Sequence, residues 1–352
     1  MKIVTVVGAR PQFIKSAPVS KALANAGHTE YIVHTGQHYD YGMSKVFFEE
    51  MGIPEPWINL NVGSGTPGQQ TSQMLARIEP AIMDQKPDIV LVYGDTNSTL
   101  AGALATVKLH IKLAHIEAGL RSYNRQMPEE HNRVLTDHCA DLLFCPTQTA
   151  LDNLANEGLT DGVHLVGDTM YDAVLQFSTL AVEKSSVLSR FGISPKDYFL
   201  ATLHRAYNTD DPQVLRSIFS ALQQISDLVI FPIHPRTLHA VQKGQISIAS
   251  NVRLVDPVGY LDMLILEKNA RAILTDSGGI QKEAYFFKVP CLTLRSETEW
   301  VETTDSRWNT LVGIDPDRIS SALHQQIPAD RPHPQFFGDG HASEKIVRLL
   351  NL

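Results

Sequence analysis

A chain of 352 residues, 43% hydrophobic and 19% charged, has enough material for two cores of ordinary size and too much for one compact doubly wound unit. A formal net charge of -8 argues against a general nucleic-acid surface, although a pocket can still be locally basic. No apolar run approaches the roughly 18 residues of a membrane span. The three cysteines, Cys139, Cys145 and Cys291, show no metal-ligand spacing and read as free thiols of a reducing, cytoplasmic compartment.

Taken in order, the chain alternates between strand and helix patterns. Residues 2–7 form an apolar strand, a run too short for a secretory signal. A turn at 8–11 leads into a helix over 12–26. This resembles the start of a Rossmann-like unit, but the GxGxxG fingerprint is missing, which disfavours a dinucleotide site. A strand is predicted at 31–35, a short helix at 43–51, and a flexible glycine-rich loop at 62–68 (VGSGTPG). Met74, Ile78 and Ile82 recur at helical spacing, and Pro80 is expected to kink or interrupt that helix. Strands follow at 89–93, 113–116, 142–145 and 164–166, with helices after the first of these and from Pro128.

A longer helical segment at 170–190 separates the two halves, so domains are expected at 1–169 and 170–352. Beyond it, strands at 198–203, 228–233, 252–255, 272–274, 291–294 and 310–313 are interleaved with helices at 212–225, 261–268, 280–287 and 316–326. The last helix, 342–350, is a candidate to pack back on the first domain. Alternation in both halves predicts an α/β protein of two parallel-sheet domains facing across a cleft.

Three carboxylates, Asp95, Glu117 and Glu129, fall at strand carboxyl ends or in the loops just beyond, the edge where open parallel sheets bind ligands. Singly each reads as structural: Asp95 as a cap for the helix near Asn97, Glu129 as a first-turn acid behind Pro128. All three along one edge favour proton chemistry on a small molecule. In the second half, TDSGGIQKE (275–283) joins a strand end, a glycine pair and a helix start. The free N–H groups at Ser277, Gly278 and Gly279 suit a phosphate, and Glu283 lies one turn further on, in reach of sugar hydroxyls. A tight turn capped by Ser277 explains the same residues equally well.

Arg10 and Lys15 flank the first turn with a planar fork and a point charge for phosphate, though as lone residues they read as solvated surface charges. His204-Arg205 closes the 198–203 strand, where a histidine can carry a proton or hold a phosphate. A single histidine in a chain with 14 of them is more often structural. His115, inside a strand, reads as a packed core residue, and His234-Pro235-Arg236 as mainly structural.

Together GARPQFIK, HTGQH, VYGDTNSTLAGALA, HIEAGLRS, MPEEHNR, TDSGGIQKEA and LR-x-x-TEW resemble the non-hydrolysing UDP-N-acetylglucosamine 2-epimerase family, from Lys2 to about Gly313. The resemblance implies the GT-B arrangement of two Rossmann-like domains, a homodimer, and no cofactor or metal. It implies inversion at C2 of the sugar: a base takes the C2 proton as UDP leaves C1, and UDP returns to a 2-acetamidoglucal protonated on the other face. Carried over by motif, Asp95, Glu117 and Glu129 form the acid–base group and His204 assists at the leaving phosphate. Arg10 and Lys15 lie near the sugar diphosphate. Ser277, Gly278 and Gly279 hold the diphosphate and Glu283 the ribose, with Arg205 and Arg295 completing the UDP-binding set.

The chain departs from the family pattern at Tyr207, where glutamate is usual, and at Trp300, where arginine is usual in the N-acetylglucosamine enzymes. Val258 and Met263 stand where glutamine and phenylalanine are common near the uracil. The TEWVET form is similar to members acting on the diacetamido-glucuronate sugar, which leaves the C3 and C6 substituents open. Other readings are a hydrolysing 2-epimerase, a GT-B glycosyltransferase, which has no use for three acids around C2, and a non-catalytic UDP-sugar sensor.

Overall fold

A computed structural model describes residues 1–36, 52–324 and 331–351; the helix expected at 43–51 lies outside them. The chain divides into two compact units, residues 1–176 with 335–352, and residues 177–334.

The first unit runs β1 (Lys2–Val7), α1 (Arg10–Asn25), β2 (Thr29–His34), β3 (Ile58–Asn59), α2 (Pro67–Gln85), β4 (Ile89–Tyr93) and α3 (Asn97–Lys108). It continues with β5 (Lys112–Ile116), α4 (Pro128–Cys139), β6 (Leu142–Cys145), α5 (Gln148–Asn156), β7 (Val163–Leu165) and α6 (Thr169–Lys184). The unit boundary falls within α6. The strands form one parallel sheet in the order β3-β2-β1-β4-β5-β6-β7. All five residues of β4 are buried, as expected of a strand covered on both faces, whose sequence is a continuous apolar run. Val4, Val6, Val90 and Val92 pack one face against Met74, Ile78 and Ile82 of α2 and the alanines of α3.

Two local expectations need correction. The 62–68 segment is not all loop: Pro67 and Gly68 open α2, capped by the Thr66 hydroxyl accepting from the Gln69 amide, with proline at the position where a missing N–H costs nothing. Nor does Pro80 interrupt that helix, which runs from Pro67 to Gln85. Pro80 and Ala76, whose carbonyl it leaves unbonded, both lie on the exposed face. Water can satisfy that oxygen while the buried stripe carries the helix through.

The second unit runs α7 (Val187–Phe191), β8 (Tyr198–Thr202), α8 (Ala206–Thr209), α9 (Pro212–Gln223), β9 (Leu228–Pro232), α10 (Pro235–Lys243) and β10 (Val252–Val255). Then come α11 (Tyr260–Asn269), β11 (Ile273–Thr275), α12 (Gly278–Phe286), β12 (Cys291–Thr293), α13 (Val301–Asp305), β13 (Asn309–Leu311) and α14 (Pro316–His324). The sheet order is β10-β9-β8-β11-β12-β13, again parallel. The helical run expected at 170–190 is two helices, broken where the Ser185 hydroxyl leaves the helix for Asp262 at 2.5 Å. Helices α8 and α13 and the two-residue strand β3 are too short for a periodic signal, and the sequence reading does not include α5 and α10.

The chain ends in α15 (Ala342–Leu350), which packs on α1 in the first unit. Asp172 caps its start, accepting from the Ala342 and Ser343 amides at 3.1 and 2.7 Å. Among the described residues no helix is long and apolar enough to cross a membrane.

Candidate active site

In a doubly wound sheet the strand order reverses once, and the loops leaving the two strands on either side of that point splay apart to leave a crevice. In the first unit these strands are β1 and β4, followed by the turns at Gly8 and Gly94. A buried side chain that the sequence reading passed over, Gln12, ties them together. Its Oε1 accepts from the amides of Gly8 and Ala9 at 2.8 and 3.0 Å. Its Nε2 donates to the Tyr93 carbonyl at 2.9 Å and to Thr99 Oγ1 at 3.0 Å.

Asp95 follows Gly94. It does not cap α3, because Thr96 does, its hydroxyl accepting from the Thr99 amide. The Asp95 carboxylate instead pairs with Arg133 Nη2 on α4 and stays 31% exposed at its side chain. That exposure leaves it open to a ligand. Its backbone carbonyl accepts from Asn132 Nδ2 at 2.9 Å.

Glu117 follows β5 and adopts a left-handed backbone, φ 71°, a conformation that costs a non-glycine residue about 1–3 kcal/mol and clusters at functional sites. The twist turns its carboxylate onto Lys15, with which it forms a buried ion pair. Lys15 is therefore no solvated surface charge. Both groups crowd the Gly94 Cα: a Cβ there would lie 3.0 Å from Glu117 Oε2 and 3.5 Å from Lys15 Nζ. The ends of β4 and β5 thus set Gly94, the residue before Asp95, against the Glu117–Lys15 pair. Arg10, the first residue of α1, is half-buried.

The third candidate acid, Glu129, is half-buried in the first turn of α4, one turn before Arg133. Its neighbour Glu130 is a structural anchor, accepting from the Ser122 and Tyr123 amides at 3.0 and 2.8 Å and pairing with Arg133. Burial alone would raise the Glu130 pKa; those amides and the guanidinium outweigh it and hold the carboxyl below its usual range.

The second unit repeats the design at β8 and β11. Asp276, fully buried, is the bridge. It accepts from the Arg205 amide at 2.9 Å, from Asn208 Nδ2 at 3.1 Å, and from His204 Nδ1 at 2.9 Å. Burial pushes this carboxyl up; the His204 ring, the Arg205 amide and Asn208 together hold it below the ordinary range. The His204 ring is thereby oriented with Nε2 free of this contact. The sequence signal for Asp276 was present, since it ends its strand as Asp95 does, but nothing in the pattern shows that it reaches back to β8. Beside it, His234 caps α10 through its ring, accepting from the Arg236 amide. Burial lowers its pKa, and the nearby His204 and Arg236 lower it further.

Ser277 caps α12, its hydroxyl accepting from the Ile280 amide. The start of α12 is overhung: a Cβ at Gly278 would stand 2.5 Å from Glu299 Oε1 and 3.2 Å from Trp300 Nε1. The Trp300 ring lies over Lys282, whose Nζ is 3.9 Å from the ring centroid. Arg295 pairs with Glu299 at 2.9 Å. Glu283 is buried and accepts from the Tyr260 hydroxyl at 2.9 Å. Tyr207 is 52% exposed, and Val258 and Met263 are half-buried around the start of α11.

Two doubly wound sheets, one lined at its switch point by acids and the other by a histidine and a glycine-opened helix start, define a nucleotide-sugar enzyme of the GT-B-like class. The chain belongs to the UDP-N-acetylglucosamine 2-epimerase family, an isomerase family, whose profile matches residues 21–351. A UDP-N-acetylglucosamine 2-epimerase homolog of Methanococcus maripaludis is 54% identical, covering 99% of both chains. The UDP-2,3-diacetamido-2,3-dideoxy-D-glucuronate 2-epimerase of Pseudomonas aeruginosa is 49% identical over 99% of both chains. The crystal structure of Methanocaldococcus jannaschii UDP-GlcNAc 2-epimerase in complex with UDP-GlcNAc and UDP superposes with a TM-score of 0.94, at 45% identity, over 100% of this chain and 99% of that one.

Proposed function

We propose that this chain is a non-hydrolysing 2-epimerase of a UDP-2-acetamido sugar, with the first unit supplying proton chemistry and the second holding UDP. The observation that carries the reading is the buried Glu117–Lys15 pair set against Gly94, the residue next to Asp95, at adjoining strand ends. A C2 proton is weakly acidic, so its removal must be coupled to departure of UDP from C1. That needs positioned carboxylates on one side and a stabilised diphosphate on the other. Asp95, Glu117 and Glu129 are the acid–base group, and the Lys15 ammonium balances the Glu117 charge. The amides of Ser277, Gly278 and Gly279, with His204, Arg205 and Arg295, take the diphosphate; Arg10 lies near it, and Glu283 takes the ribose. No cofactor enters this chemistry.

Within that reaction, the high identity to a diacetamido-glucuronate enzyme and the indole of Trp300 at the start of α12 favour a sugar modified at C3 and C6 as a second substrate to test. A homodimer and a cytoplasmic setting belong to the same proposal. The first unit exposes Met83, Leu135 and Leu165, apolar surface that a second copy would cover, and all three cysteines are free thiols, in keeping with a reducing compartment.

The test is proton NMR with UDP-N-acetylglucosamine in deuterium oxide. Growth of the manno signal with deuterium at C2 supports the reading on the simple sugar. Free N-acetylmannosamine with UDP identifies the hydrolysing reaction. No exchange with UDP binding intact sends the assay to the diacetamido-glucuronate sugar, and inactivity there as well overturns the reading.

A further inference from the structure

His115 is the fourth residue of β5 and has no exposed surface. A buried histidine in a strand is ordinarily a packing residue with one hydrogen bond, but this ring makes two, both to acceptors. Nε2 lies 2.7 Å from the carbonyl oxygen of Gly94, and Nδ1 lies 2.7 Å from Asp137 Oδ1. A carbonyl oxygen only accepts, so Nε2 carries hydrogen. Asp137 is the counter-ion of Arg121, whose guanidinium is buried against it. It also accepts from the Gly119 amide at 3.1 Å and from Arg121 Nη1 at 2.6 Å. Nδ1 therefore carries hydrogen too.

Arg121 is held by Glu157 through two bonds, at 2.7 and 2.8 Å. Among the groups facing this cluster, Cys145 stays a neutral thiol, its pKa pushed up to about 12 by burial and by Asp137, and His138 meets only the outer end of the cluster, at Glu157.

The bonds land on the backbone flanking the candidate acids. Gly94 precedes Asp95, and its amide also donates to the Ile116 carbonyl at 2.9 Å. Gly119 follows Glu117 by two residues. Asp137 belongs to α4, the helix that carries Glu129 and Arg133. One ring thus ties together the three segments that bear Asp95, Glu117 and Glu129.

We propose that His115 is a positioning residue: a doubly protonated ring, braced by Asp137, that fixes the spacing of the Asp95 and Glu117 loops. The inference rests on the epimerase reading of those two acids. It predicts a split between turnover and binding, because UDP is assigned to the other unit. In His115→Asn the amide overlays Nδ1 and keeps Asp137 while losing Gly94; in His115→Gln it overlays Nε2 and keeps Gly94 instead.

The decisive experiment measures kcat, UDP affinity and melting temperature for both variants of the full-length enzyme, with 15N spectra of histidine-labelled wild type. Loss of the Gly94 tether should lower kcat of His115→Asn about 100-fold, the scale of a misplacement of about 1 Å. His115→Gln should lose about 10-fold, and UDP affinity should stay within about twofold in both, as expected for independent sites. The wild-type ring should show hydrogen on both nitrogens at neutral pH. A folded His115→Asn with wild-type kcat, or a wild-type ring with one bare nitrogen, overturns the proposal. If the variants do not fold, the ring spectrum decides. If the wild type turns over neither UDP-sugar, the epimerase reading fails by itself, and the ring spectrum still reports on His115.

Discussion

Replacing Asp276 with asparagine tests the second unit most directly. The carboxylate is fully buried and takes the His204 ring on Oδ1 and the Arg205 amide and Asn208 Nδ2 on Oδ2. Asparagine can keep the Oδ2 contacts with its oxygen, but its NH2 group then faces His204 Nδ1. The ring must turn its bare nitrogen inward and put its hydrogen on Nε2, as a neutral tautomer. A diphosphate at the start of α12 would then meet a ring that no carboxylate orients. A hydrogen bond to a charged group is worth about 1.5–3 kcal/mol, so UDP affinity should fall by about 10- to 150-fold. Calorimetric titration with UDP measures it, and His204→Ala provides a control: once the ring is gone, Asp276→Asn should cost UDP affinity little more. Wild-type UDP affinity in Asp276→Asn, or full additivity with His204→Ala, would refute the dyad.

Four further outcomes follow. Lys15→Met takes the ammonium away from the buried Glu117 carboxylate, which should destabilise the protein by about 3–5 kcal/mol in urea unfolding and abolish turnover; an unchanged midpoint refutes the pairing. Asp95→Asn and Glu117→Gln should each lower turnover by about 100-fold or more while UDP binding is retained, and wild-type turnover in either removes it from the acid–base group. Gly119 has φ 81°, and a Cβ there would meet the Ala150 carbonyl oxygen at 2.2 Å, so Gly119→Ala should cost about 3 kcal/mol or more, read as a lowered melting temperature. Asp137, Asp276 and Glu130 are all held below ordinary carboxylate values. Their stabilisation is complete above the unfolded range near about pH 4 and is lost as pH falls through the depressed folded values. Acid unfolding of Asp276→Asn should therefore show a shallower pH dependence than that of wild type.

Much of the architecture was legible in the residues. The strands 2–7, 89–93, 142–145 and 252–255 and the helix 342–350 were readable to the residue, because buried parallel strands are continuous apolar runs bounded by turns. Pro80 does not interrupt its helix, because its effect depends on which face of the helix meets water. Lys15 misled because a lone lysine looks the same in sequence whether it is solvated or faces a glutamate 102 positions away. Gln12, Asp137 and Asp276 were missed as organisers because a polar residue beside a turn carries no mark of what it bonds.

The sequence by itself determined two parallel α/β sheets, the strand ends at which Asp95, Glu117 and Ser277 fall, and the family. Those follow from local periodicity, turn chemistry and motif order, which are properties of neighbours along the chain. Only the tertiary structure decided that Lys15 is the partner of Glu117, that Arg133 holds Asp95, that Asp276 orients His204, and that His115 joins Gly94 to Asp137. These pairings span tens of residues. They are selected by burial, where a charge or a polar group must find a partner or forfeit its solvation, and burial is known only once the sheets are assembled.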